Sequence, residues 1–162
     1  MVVAIDLGAW DIDVGADETA HYMDEIGASP ELKASVASAV ARDGVLKETY
    51  SKHLKTLTCL DPCRGPDLAQ PAGSRLEFVP VAGGFRLLEG GAPSAGRSVF
   101  LTNETNGRLP LTTDADGLVV LPSGLTGPIF LSAVILTLPT VPGGRFTSEW
   151  ASLTFDAAIL AR

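Results

Sequence analysis

The stretch from Gly90 to Gly127, GGAPSAGRSVFLTNETNGRLPLTTDADGLVVLPSGLTG, constrains this chain more than any other. Turn chemistry recurs along it at short intervals. Pro93-Ser94-Ala95-Gly96 forms one turn, Asn106-Gly107 is a hairpin signal, and Asp114-Ala115-Asp116-Gly117 forms another. Between them lie short apolar, β-branched runs, Arg97 to Asn103 and Leu118 to Leu121. Strands this short and evenly spaced predict an all-β body, an antiparallel sandwich of the immunoglobulin-like kind. Leu76 to Pro80, Phe85 to Leu88, Ile129 to Leu138 and Phe146 to Ile159 supply further runs, and the count comes to about eight strands.

The first third reads differently. Val2, Val3, Ile5 and Leu7 predict an opening strand, and Ile12 and Val14, alternating with Asp11 and Asp13, predict a second extended piece. Residues 1–16 therefore form an extended segment. A helical segment is expected over 17–57. Asp17 is its N-cap, with a break at Gly27, and Ser29-Pro30-Glu31 restarts it. Beyond Gly44, the residues Val45, Leu46, Tyr50, Leu54 and Leu57 fit one helical stripe, with Lys47, Lys52 and Lys55 on the solvated side. A loop follows over 58–71, and the sandwich domain occupies 72–162.

The chain of 162 residues is long enough to bury a core without a metal or disulfide staple. Its net charge of -7 disfavours a phosphate-backbone partner, so nucleic acid is not expected. The longest apolar run, Pro128 to Leu138, is too short to span a bilayer. Cys59 and Cys63 flank Leu60-Asp61-Pro62, and free thiols, a local disulfide and a metal pair all stay open.

Few residues offer chemistry. Asp114 and Asp116 lack the further oxygen ligands of a calcium loop and read as a turn. Asp11 and Asp13 share the solvent side of a strand. Asn103-Glu104-Thr105 is a sequon at a hairpin tip. Trp150 cannot share a strand face with both Leu153 and Phe155, so it is either core or a partner contact. Glu48 and Tyr50 lie together on the expected helix, the tyrosine orienting its packing. His21 and His53, the two histidines, could form an N/O metal site with Asp24, Glu25 or Glu48, suited to nickel, cobalt or zinc. No nucleophile has a visible activating partner, and a non-enzymatic protein is expected.

Several pieces, in this order, resemble one family: YMDEIG at 22–27, KETYSKHLKTL at 47–57, LEFVP at 76–80, GAPSAG at 91–96, TDADG at 113–117 and SEWASLTF at 148–155. The set is similar to exported bacterial proteins often labelled nickel- or cobalt-uptake-associated periplasmic proteins. The C-terminal part of that family is similar to the transthyretin-like, carboxypeptidase-regulatory-like sandwich. The resemblance implies a periplasmic or extracellular location, although this chain shows no signal peptide. It also implies that residues 1–14 match the last strands of an N-terminal β-domain carried by family members. Function is then expected to be binding or scaffolding through sandwich loops or an exposed edge, to a protein partner or a second copy. The other readings are metal handling linked to nickel or cobalt uptake and a structural part of a larger assembly.

Overall fold

The computed structural model describes residues 1–58 and 66–161. Cys59 and Cys63 lie outside them. The chain is mainly β. Its elements are β1 (Val2–Gly15), α1 (Ala16–Glu25), α2 (Pro30–Asp43), β2 (Val45–Leu57), β3 (Leu76–Val81), β4 (Gly84–Glu89), β5 (Ala92–Pro93), β6 (Ser98–Asn103), β7 (Gly107–Thr112), β8 (Leu118–Val120), β9 (Pro128–Thr137) and β10 (Phe146–Asp156). Short 3-10 turns cover Pro66–Ala69 and Ala157–Ala161.

One sheet has the order β1-β2-β10-β9-β6-β7, and its β2–β10 pair is parallel. The second sheet is antiparallel, with β3 on one edge of β4 and both β5 and β8 on the other. Pro110 sits in β7 at the outer edge of the six-stranded sheet, where its missing N–H costs no ladder bond.

The long strands β2, β9 and β10 serve two cores. Leu57, Ile129, Leu131, Ala133, Leu153 and Phe155 pack with Leu76, Phe78, Phe85 and Leu87 of the second sheet. Phe85 and Phe155 meet there at 4.7 Å between ring centroids. At the other end of the same strands Leu46, Leu136 and Phe146 pack instead with Met23, Ile26, Val36 and Ala39 of the helices. Each is an odd number of residues from its strand's inter-sheet positions, so it points to the opposite face.

The helical reading of 17–57 holds only as far as Asp43. Ser29 Oγ accepts the Leu32 N–H at 3.3 Å, Pro30 opens α2, and Gly44 ends it in the left-handed region at φ 79°. The cap of α1 is Gly15 rather than Asp17, which lies in the first turn. From Val45 to Leu57 the chain is strand, not helix. The apparent helical stripe arises because the strand changes buried face midway. Leu46 and Glu48 are buried at its start, and His53, Lys55 and Leu57 at its end. Lys55, expected in solvent, lies 2.8 Å from Glu77 with both side chains buried. Residues 2–14 form one strand rather than two pieces. A register shift between Leu7 and Trp10 accounts for the broken alternation. Asp114 does build a turn. Its Oδ1 accepts the N–H groups of Asp116 and Leu118, each at 2.9 Å, and Gly117 takes φ 70°. Among the described residues no helix is long and apolar enough to cross a membrane.

Candidate functional site

Three features stand out, and all three are built on β1, β2 and β10. The first is the outer strand. β1 pairs with β2 alone, so its other edge has no strand partner among the described residues. That edge is 14 residues long, roughly 45 Å of backbone donors and acceptors. The register pairs Val3, Ile5, Leu7, Trp10, Ile12 and Val14 with Thr56, Leu54, Lys52, Tyr50, Glu48 and Leu46. Paired residues share a face, so the shift at Gly8-Ala9 keeps six apolar side chains on one side of β1. Trp10 is 64% exposed and Ile5 54%. Leu54 and Phe130 extend this exposed apolar surface past the helices.

The second feature is a cleft of about 510 Å³ where α1 crosses the same face, lined by Ile12, Tyr22, Glu48, Tyr50, Lys52 and Trp150 among others. Parallel pairing places Ser148 beside Tyr50 and Trp150 beside Lys52. Tyr22 and Trp150 stack with planes 6° apart and centroids 5.9 Å apart. The Lys52 ammonium lies 5.2 Å from the Tyr50 centroid and 5.4 Å from that of Trp150. Glu48 is only 2% exposed. Its Oε1 accepts a hydrogen bond from the Tyr22 hydroxyl at 2.9 Å and a short one from the Ser148 hydroxyl, while Trp150 Nε1 donates to Ser148 Oγ at 2.9 Å. Burial, and then the negative charge of Glu48, raises the Tyr22 phenol well above its ordinary range, so Tyr22 stays a donor.

The third feature is a clamp on the opposite face. His53 Nδ1 lies 2.8 Å from Asp6 Oδ1 on β1, and Nε2 lies 2.8 Å from Glu149 Oε2 on β10. Arg75 Nε completes the row at 2.8 Å from Glu149 Oε1. Burial pulls the His53 pKa down, but the hydrogen bonds and charges of Glu149 and Asp6 outweigh it and hold the imidazole above its usual value. Burial likewise pushes Asp6 up, and the bonds from His53 and Ser74 with the His53 charge bring it below the usual carboxylate range.

The two histidines are not together. His21 lies on α1 at the cleft, 3.4 Å from Glu25, whereas His53 belongs to a strand and has a carboxylate on each ring nitrogen. Metal ligation by His53 would first require release of one of those carboxylates. Among the described residues no group of three or more His, Cys, Asp or Glu side chains is arranged to hold a metal ion. Asp11 and Asp13 share a side and hold Arg145, Asp13 at 2.9 Å from Nη2 and Asp11 at 3.4 Å from Nε. Tyr50 does not pair with Glu48, and Tyr22 fills that role. Trp150 is half-buried on the helix face, opposite Leu153 and Phe155. Sequence reasoning missed Tyr22, Ser148 and Lys52 as a group, because their meeting depends on the parallel β2–β10 pair.

Compared with protein-family models, with curated proteins and with solved structures, the chain finds no match in any of the three.

Proposed function

We propose that this chain is a non-enzymatic binding and scaffolding module that assembles by strand addition at β1, with a second copy of itself as the occupant. The observation that carries this reading is the symmetry about Gly8-Ala9 of the apolar face of β1, exposed at Val3, Ile5, Leu7, Trp10 and Ile12 and half-buried at Val14. In an antiparallel pair of β1 strands related by a two-fold axis, Leu7 of one copy meets Trp10 of the other. Ile5 then meets Ile12, and Val3 meets Val14, all on one face. A regular strand could not bring these residues opposite one another on a shared face. The register shift makes it geometrically allowed. On the other face Asp6 meets Asp11, and each arrives already holding a cation of its own chain, His53 and Arg145. Small Gly8 and Ala9 fall at the two-fold axis, and a Cβ added at Gly8 would meet nothing within 4 Å.

As part of the same proposal, the two-sheet body is a transthyretin-like or immunoglobulin-like sandwich serving as a rigid frame for this edge. A periplasmic or extracellular location is proposed on the resemblance alone. The non-enzymatic part is supported by His53, whose ring nitrogens both face carboxylates and leave none to serve as a base for a hydroxyl. Sedimentation velocity over a concentration series tests the assembly. A monomer–dimer equilibrium is expected. A monomer at every soluble concentration would overturn the choice of occupant and leave the edge to a different protein.

A further inference from the structure

We infer that the cleft between α1 and the sheet binds a small organic cation, an ammonium group carried on an apolar body. The cleft adjoins the β1 edge, sharing Ile12 and Val14 with it, but its ligand chemistry rests on Glu48 and the aromatic side chains rather than on the assembly. It begins with Glu48. A carboxylate this buried ordinarily has a cationic partner, because removing its charge from water is costly. Glu48 instead has two hydroxyl donors, from Tyr22 and Ser148, both on Oε1. Among the described residues it forms no ion pair. Arg145 reaches its backbone carbonyl at 3.0 Å, not its carboxylate. A negative group therefore sits in the wall of an apolar cleft without a counter-charge.

The surroundings match an ammonium ligand. Asp17, Glu18 and Glu25 line the same cleft with Glu48 and His21, against the single lysine Lys52. The resulting field attracts cations. Tyr22, Tyr50 and Trp150 supply aromatic surface, and Ile12 and Val14 supply apolar wall. The Lys52 ammonium already lies over two of these rings, showing that their faces are open to a cation. A ligand would enter by displacing Lys52, directing its ammonium toward Glu48 and laying its apolar body along Trp150 and Ile12. The cleft volume of about 510 Å³ is within the usual range for small-molecule sites.

The test compares three probes of nearly one shape: benzylamine, benzyl alcohol and benzoate. Calorimetric titration of the full chain is expected to give saturable one-to-one binding of benzylamine and none of the other two. In a Trp10→Phe background, benzylamine should also change the emission of Trp150, then the sole tryptophan. Glu48→Gln keeps the side-chain shape and an acceptor for Tyr22, and should weaken binding roughly 30-fold. Lys52→Met removes the competing ammonium and should tighten binding about two- to fivefold. Because the two variants move affinity in opposite directions, a general loss of folding cannot imitate the result. Benzyl alcohol binding as well as benzylamine would overturn the inference, as would no benzylamine binding or a Lys52→Met variant that binds more weakly.

Discussion

Lys55→Met should be among the most damaging single substitutions in this chain. Were 45–57 a helix with its lysines in solvent, the change would be nearly neutral. In the strand, Lys55 Nζ lies 2.8 Å from Glu77 Oε2 and the two side chains are 4% and 3% exposed. Glu77 also accepts the N–H groups of Ala72 at 2.8 Å and Gly73 at 2.9 Å, which tie the approach to β3. Removing the ammonium leaves a buried carboxylate with two backbone donors and no cation. Breaking a buried pair from one side costs about 3–5 kcal/mol. At about 2–4 °C per kcal/mol for a chain near this size, the midpoint should fall by roughly 10 °C. Lys55→Met/Glu77→Gln removes the charge altogether and keeps an amide oxygen for one of the two N–H groups, which bond to separate oxygens of Glu77, so it should regain part of the loss. Urea denaturation followed by circular dichroism reads both, with an unchanged m-value required for the comparison. A Lys55→Met loss below about 1 kcal/mol, the range of an exposed pair, would refute the buried placement.

Other outcomes follow from the same geometry. Gly84→Ala would drive a Cβ into the Val119 carbonyl oxygen, so it should break the β4–β8 pairing and cost about 2 kcal/mol or more in the same denaturation assay. The His53 clamp gives a pH window. The contribution from His53, whose folded pKa is raised, is complete below its ordinary 6.5 and fades as pH rises through the higher folded value. The contribution from Asp6, whose folded pKa is lowered, is complete above 3.8 and fades as pH falls through the lower folded value. The stability gap between wild type and His53→Gln should therefore be widest between those two values and narrow on the alkaline side. A gap that grows as pH rises above 6.5 would contradict the clamp. Gly27 has φ 66° and a virtual Cβ 2.8 Å from Ser98 Cβ, so Gly27→Val should unseat the end of α1 and lower the thermal midpoint measurably.

The mainly-β class was legible because turn chemistry is local. Asp114 and Gly117 need only their neighbours, and the start of α2 needs only Ser29 and Pro30. What escaped the sequence was set by tertiary contacts. β2 carries Glu48, His53 and Lys55 inward, so its buried face does not read as apolar. It also moves from the helix-side core to the inter-sheet core, which breaks the two-residue period and leaves an accidental helical one. β1 hides its continuity behind one register shift, and Pro110 hides β7. The candidate sites were half legible. His53, Glu48 and Trp150 attract notice as residue types, but their partners Asp6, Glu149, Tyr22 and Ser148 come from distant segments that only the strand order β1-β2-β10 brings together.

The most direct test of strand addition at β1 is sedimentation of two paired variants at matched concentration. Ile5→Asp/Ile12→Asp sets acid against acid at two positions across the two-fold axis, and a monomer is expected. Ile5→Asp/Ile12→Lys sets acid against base at the same positions, and the dimer should return. If the two variants sediment alike, the pairing of Ile5 with Ile12 is wrong.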